Sequence, residues 1–214
     1  EVFLERPVPA EWDGAPGPGQ LMTLLKGAAE RGVKVHVLLF KELSVALNLQ
    51  SEKHRDMLRA LHPNITVIRS PDHFTNMQFF WSHHEKIVII DHEVAFIGGL
   101  DLCYGRYDNS SHPLHDERGK GAGFEFPGKD FYNPRIFDPL TFDNPAEDAI
   151  PRRDQWRMPW HDVHCAVSGA PVRDIFRHYA QRWNAARDWK GKRAEEFTLL
   201  VPHRIADEPI GTST

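Results

Sequence analysis

The residues best placed to do chemistry lie in Trp81-Ser82-His83-His84-Glu85-Lys86-Ile87-Val88-Ile89-Ile90-Asp91. The aliphatic run Ile87–Ile90 reads as a strand, on which alternate residues share a face. His84 and Lys86 then project together while Glu85 points away, and His83, adjacent to the candidate, also faces the other way. An imidazole beside an ammonium at the start of a buried strand is expensive to place. The pair suits a phosphate: the cation neutralises charge, and the imidazole attacks phosphorus or moves a proton. Asp91 closes the strand, and Gly98-Gly99 follow the next one, where absent side chains let backbone or substrate approach closely. On the residues alone, a catalytic pair and a structural histidine beside a surface lysine both stand. Competing motifs fail. Val88 occupies the fifth position of a zinc-protease H-E-x-x-H. His83-x-Glu85 has no P-C-x-x-C to complete a zinc deaminase, and Gly119, Gly121 and Gly123 follow no strand and lack a G-K-[ST] ending.

The elements that must position these residues follow from spacing. Pro7, Pro9, Pro16 and Pro18 with Gly14, Gly17 and Gly19 exclude a regular element over 5–19. Leu21, Leu24, Leu25 and Ala28 recur at helical spacing and Gly32 closes that helix. Val33–Phe40 reads as a strand, 51–61 as a helix and Ile65–Ile68 as a strand, which is α/β logic. The apolar density of 86–91 and 94–97 predicts a strand pair buried on both faces. Residues 105–155 lack periodicity, as a functional stretch or an insertion would. Val172, Ile175, Phe176, Tyr179, Trp183 and Ala186 mark one face of a helix over 170–188, with Trp183 in the core and Arg182 available to an acidic partner. Cys103 and Cys165 read as small buried hydrophobes, and Phe79, Phe80 and Trp81 as core rather than an acyl-chain cleft.

The chain has 214 residues and a formal charge of −4, which does not suit a nucleic-acid cation, and its 41% hydrophobic content can build a core. No apolar run approaches the roughly 20 residues that span a bilayer. The charge is uneven: residues 151–193 carry ten Lys/Arg against four Asp/Glu, as a phosphate- or membrane-facing stretch or an ordinary solvated helix would. Two distant cysteines fit a reducing, cytoplasmic setting. The absence of an initiator Met leads us to expect a piece of a longer protein.

The pattern His84-x-Lys86-x4-Asp91-x6-Gly98-Gly99-x-Asp101 resembles the H-x-K-x4-D-x6-G-[GS] motif of the phospholipase D superfamily. Further segments resemble its eukaryotic, fungal and animal type. They are Glu1–Pro7, Leu61-His62-Pro63-Asn64-Ile65, Pro71-Asp72-His73, Gly99–Asp108, Pro127-Gly128-Lys129-Asp130, Arg157-Met158-Pro159-Trp160-His161-Asp162 and Gln181-Arg182-Trp183-Asn184.

This resemblance implies an α/β lobe, a mixed sheet flanked by helices and one of two in the catalytic unit. It divides the chain into a loop-rich opening (1–19), a first catalytic lobe (20–193) and a linker toward a second lobe (194–214). It implies hydrolysis of phosphatidylcholine to phosphatidate and choline through a phosphohistidine. His84, Lys86 and Asp91 form the catalytic set, and Gly98, Gly99, Asp101, Trp160, His161 and Asp162 support the phosphate site. No metal is required, and activation by phosphoinositides stays open. The implied partners are a phospholipid membrane surface, at which the protein is peripheral, and a second motif. No other histidine here has Lys two positions on, so that motif must come from the same protein or, less readily, from a second copy. The alternatives are a nucleic-acid phosphodiesterase of the same superfamily and a lipid-binding half-site without turnover.

Overall fold

A computed structural model describes residues 21–42, 50–72, 83–116, 124–137, 144 and 146–202. The readings made for 1–19, for Phe79, Phe80 and Trp81, and for the glycines at 119–123 lie outside these residues. The described residues fall into two compact units. One contains the residues before 73 and those from Gly99 to Val163; the other contains His83–Gly98 and the chain from His164 onward. No described helix is long and apolar enough to cross a membrane.

In the first unit, helix α1 (Leu21–Glu30) leads to strand β1 (Val35–Phe40), helix α2 (Ser51–Leu61) and strand β2 (Ile65–Ser70). Helix α1 ends as its sequence demands: Gly32 takes φ 96°, its N–H donates to Ala29 O and that of Val33 to Ala28 O. This pairing satisfies two terminal carbonyls, and only glycine adopts the left-handed turn without strain. Strands β1 and β2 pair in parallel from Val35↔Ile65 to Phe40↔Ser70. Parallel neighbours need a crossover, and α2 provides it. Ala29, Leu39, Leu58, Ile65 and Val67 form the buried core between helices and strands. Truncating Leu58 there removes a packed side chain worth about 2–5 kcal/mol.

The aperiodic stretch after residue 105 has a core of its own, built from Phe126, Phe131 and Ile150 with Tyr107 against them. Arg152 fastens it. Its guanidinium lies over the rings of Phe124 and Phe131, donates to Phe126 O at 2.9 Å and pairs with Asp116 and Asp148. Loop burial of this kind follows no period, so hydrophobic spacing gave no sign of it.

In the second unit, β3 (Lys86–Ile90), β4 (Val94–Gly98) and β5 (His164–Ser168) form an antiparallel sheet in that order. Helix α3 (Pro171–Asp188) packs against it and buries Val172, Ala180, Trp183 and Ala186. The Trp183 indole N–H donates to Thr198 O at 2.9 Å, Asn184 and Leu200 exchange two hydrogen bonds, and Arg187 donates to Phe197 O. Residues 197–200 are thereby pinned along α3.

The expected burial of β3 and β4 on both faces is not found. Val88 and Ile90 are 46% and 50% exposed. Helix α3 covers the face of Ile87, Ile89 and the fully buried Ala95, and among the described residues of this unit no second layer covers the other. Cys165 is exposed rather than buried, because β5 is an edge strand, and Cys103 is half-buried.

Candidate active site

The register of β3 sets out two opposed groups of side chains at its start. Lys86 is the first strand residue, so His83, His84 and Glu85 precede the hydrogen-bonded ladder. On one face, Lys86 Nζ lies 2.9 Å from each ring nitrogen of His84 and 3.0 Å from its carbonyl oxygen. An ammonium can only donate, so it engages a ring nitrogen that carries a lone pair. That lone pair is also what a nucleophile or base requires. His84 is exposed and open to a reactant.

On the opposite face, Glu85 turns to α3. Its carboxylate forms an ion pair with Arg182 and lies 2.6 Å from His178 Nε2. His83 follows the same parity, with Nδ1 3.5 Å from Glu85. Burial, followed by the charges of Arg182 and His178, lowers the affinity of His83 for a proton. Burial likewise depresses that of Arg182.

Asp91 stands at the far end of β3. It takes φ 52° and His92 φ 60°, with the Glu93 N–H donating to Ile90 O at 3.0 Å, which is a type I′ turn joining β3 to β4. Aspartate tolerates the left-handed region better than most residues. Asp91 lies five positions beyond Lys86, about 16 Å along the strand, so the structure does not bring Asp91 to the other two. Gly98 lies directly across from Lys86 on β4, and His164 across from Gly98 on β5. Paired residues share a face, so Lys86 and His164 flank a position without a side chain.

The first unit gathers most of the remaining candidates around one arginine. Arg106 donates to Asp101 at 2.7 Å, to Asp162 at 3.1 Å and to Gly99 O at 3.2 Å, and its guanidinium lies 3.7 Å from the centre of the Trp160 ring. A Cβ on Gly99 would run into the Asp162 carboxylate, so glycine there permits the approach. His161 is exposed and stacks on His112 at 3.8 Å.

His112 leads to a second, deeper charge pair. Its Nδ1 lies 3.1 Å from Asp108, whose carboxylate also accepts from the N–H groups of Trp160 and Asn109 and from Arg157. Arg157 is fully buried, donates further to Pro113 O and Tyr107 O, and covers the Phe126 ring. Burial pushes the Asp108 carboxyl up, but the hydrogen bonds from Trp160, His112 and Asn109 and the Arg157 charge outweigh it and hold it below the usual carboxylate range.

A family model described as "Phospholipase D" matches residues 13–206. The chain belongs to the phospholipase D family. It is 44% identical over 203 residues to phospholipase D zeta 2 of Arabidopsis thaliana, covering 95% of this chain and 18% of that protein. It is 41% identical over 203 residues to phospholipase D1 of Saccharomyces cerevisiae (94% and 12%), and 39% identical over 226 residues to phospholipase D2 of Bos taurus (94% and 23%). The chain thus spans less than a quarter of the length of each of these relatives.

In this member of the phospholipase D family, the α/β fold expected from the sequence is the fold found: a parallel pair and an antiparallel sheet, each with helical packing on it. Sequence reasoning gave no role to Arg106, Asp108, Arg157 or His178. Two signals bore on Arg106 and His178, and none on Asp108 or Arg157. Asp101 and Asp162 were candidates with no cation assigned, and Glu85 beside the His84–Lys86 pair needed a counter-charge. Only Arg182 was anticipated as the partner of an acid.

Proposed function

We propose that this chain carries one catalytic half of a phospholipase D that hydrolyses phosphatidylcholine to phosphatidate and choline. The observation that carries the reading is the His84–Lys86 pair, held together at the start of β3 with His84 open to a reactant. In the first displacement an imidazole nitrogen bonds to phosphorus as the bond to the choline oxygen breaks. A second histidine, from another H-x-K motif, protonates that oxygen. Water then displaces the imidazole, leaving phosphatidate. His84 is one of these two imidazoles. Lys86, which rests on His84 here, turns to the phosphoryl oxygens as charge develops on them. The second motif is assigned to another part of the same protein. The chemistry uses no cofactor, and phosphoinositides act, where they act, outside it.

Asp91 serves the site through its turn, which fixes where β3 ends and β4 begins. Gly98, Gly99, Asp101, Trp160, His161 and Asp162 are assigned support of the phosphate-binding region. The protein works from the cytoplasm as a peripheral enzyme at a phospholipid surface. In support, the turn after Asn133 exposes Ile136 and Phe137 beside Trp156, whose carbonyl accepts from the Asn133 amide. Exposed aromatics of this kind favour the bilayer–water boundary.

The test is choline release from phosphatidylcholine vesicles by the full-length protein carrying His84→Ala. Turnover falls to background if His84 takes part in the displacement. Substantial turnover by His84→Ala refutes the reading, and hydrolysis of DNA in place of lipid would assign the motif to a different diester.

A further inference from the structure

We infer that Glu85 is a positioning residue for the reaction, clamped by Arg182 and His178 so that His84 is held still beyond the end of its strand. The inference deepens the function proposed above and rests on it. Residues 83–85 have no ladder hydrogen bonds, since strand pairing begins at Lys86↔Gly98. A backbone segment outside the ladder has its own torsional freedom, and no ladder hydrogen bond sets the direction of His84, which the sheet holds only through the Lys86 ammonium on its own side. Side chains must supply what the ladder does not.

Glu85 is the residue able to do so. Its side chain turns away from His84 and Lys86 and toward α3. There it meets Arg182 and His178, four residues apart and therefore on one side of the helix. The carboxylate thus has a cation on one oxygen and an imidazole on the other. The helix beneath is itself fixed, because Trp183, next to Arg182, is fully buried and bonded to Thr198 O. Fixing Glu85 fixes the peptide units on both sides of it, and these carry His84 and Lys86. The groups facing this carboxylate are Arg182 and His178 from α3 and His83 from its own segment.

A charge outside the chemistry is therefore required by it. Displacing a reacting group by about 1 Å costs about 100-fold in rate, and loss of the clamp is expected to act at that scale. The experiment uses the full-length enzyme on phosphatidylcholine vesicles, with Glu85→Gln, Arg182→Met and the double variant beside His84→Ala. Turnover is expressed per folded molecule, with thermal unfolding measured in parallel. Glu85→Gln and Arg182→Met should each lower kcat by about 10- to 100-fold with KM little changed. The double variant should be no worse than the poorer single one, and Glu85→Asp should recover part of the loss. Wild-type kcat per folded molecule in Glu85→Gln, with His84→Ala inactive, overturns the inference and leaves the proposed function standing. An active His84→Ala removes the proposed function first.

Discussion

Replacing Arg157 by methionine removes a fully buried cation and keeps most of its volume. Its guanidinium makes three hydrogen bonds, to Asp108 at 3.1 Å, Pro113 O at 3.0 Å and Tyr107 O at 2.8 Å, and lies 3.9 Å from the centre of the Phe126 ring. Breaking a buried pair from one side costs about 3–5 kcal/mol, because the partner charge stays behind. Asp108 keeps its bonds from Trp160, Asn109 and His112, which shield the stranded carboxylate and put the cost near the lower end, about 3 kcal/mol. At roughly 2–4 °C per kcal/mol for a unit of this size, the transition should fall by about 6–12 °C. Thermal unfolding followed by tryptophan fluorescence reads the shift, in Arg157→Met, Asp108→Asn and the pair. The two residues touch, so the double variant should lose at least about 1 kcal/mol less than the sum of the singles. A fall below about 2 °C in Arg157→Met, or strictly additive losses, refutes the view that this pair holds the long loop together.

Other outcomes are equally open to measurement. Gly99→Ala forces a methyl group against Asp162 and should destabilise by about 1–3 kcal/mol, seen as a lower Tm. Asp91→Gly should leave kcat and Tm near wild type, whereas Asp91→Val, strained at φ 52°, should lower Tm; an inactive Asp91→Gly would mean that the carboxylate itself is needed. Burial, foremost, lowers the proton affinity of His36 and His54 in the folded state. Their contribution is therefore full above the unfolded value near 6.5 and is lost as pH falls through the lower folded values. Tm should accordingly fall between pH 7 and 5, and a flat profile would contradict this. Phe137→Ser with Trp156→Ala should weaken partition onto phosphatidylcholine vesicles by about tenfold or more, measured by sedimentation, with the turnover of a soluble short-chain substrate unchanged.

Elements with a period were legible, and those without one were not. Leu21, Leu24, Leu25 and Ala28 set α1, and the β-branched run after Gly32 set β1, within two residues of the observed bounds. Strand β5 was invisible, because His164-Cys165-Ala166-Val167-Ser168 is short and of mixed polarity, and it becomes a strand only by pairing with β4. The both-face burial expected of β3 and β4 failed because aliphatic density reports affinity for a cover, not its presence. At the site, parity along one strand was enough to separate His84 and Lys86 from Glu85. The arginine clusters were not legible, since Arg106 reaches Asp162 across 56 positions and Arg157 reaches Asp108 across 49. Such pairings arise from tertiary closure and leave no local spacing to read.

The tight I′ turn between β3 and β4 also bears on the order in which the chain acquires its structure. Those two strands are joined through three residues and can zip within about 1–10 μs, so the hairpin carrying His84 and Lys86 is accessible early, from local contacts alone. Strand β5 must wait: the whole stretch from Gly99 to Val163 separates it from β4, its partner. That stretch packs its own aromatic core, and its two ends meet, the Gly99 N–H donating to Val163 O at 2.9 Å. Collapse of the insert thus shortens the effective distance over which β5 has to search, and a slow or misfolded insert would delay the sheet without touching the hairpin that carries His84 and Lys86.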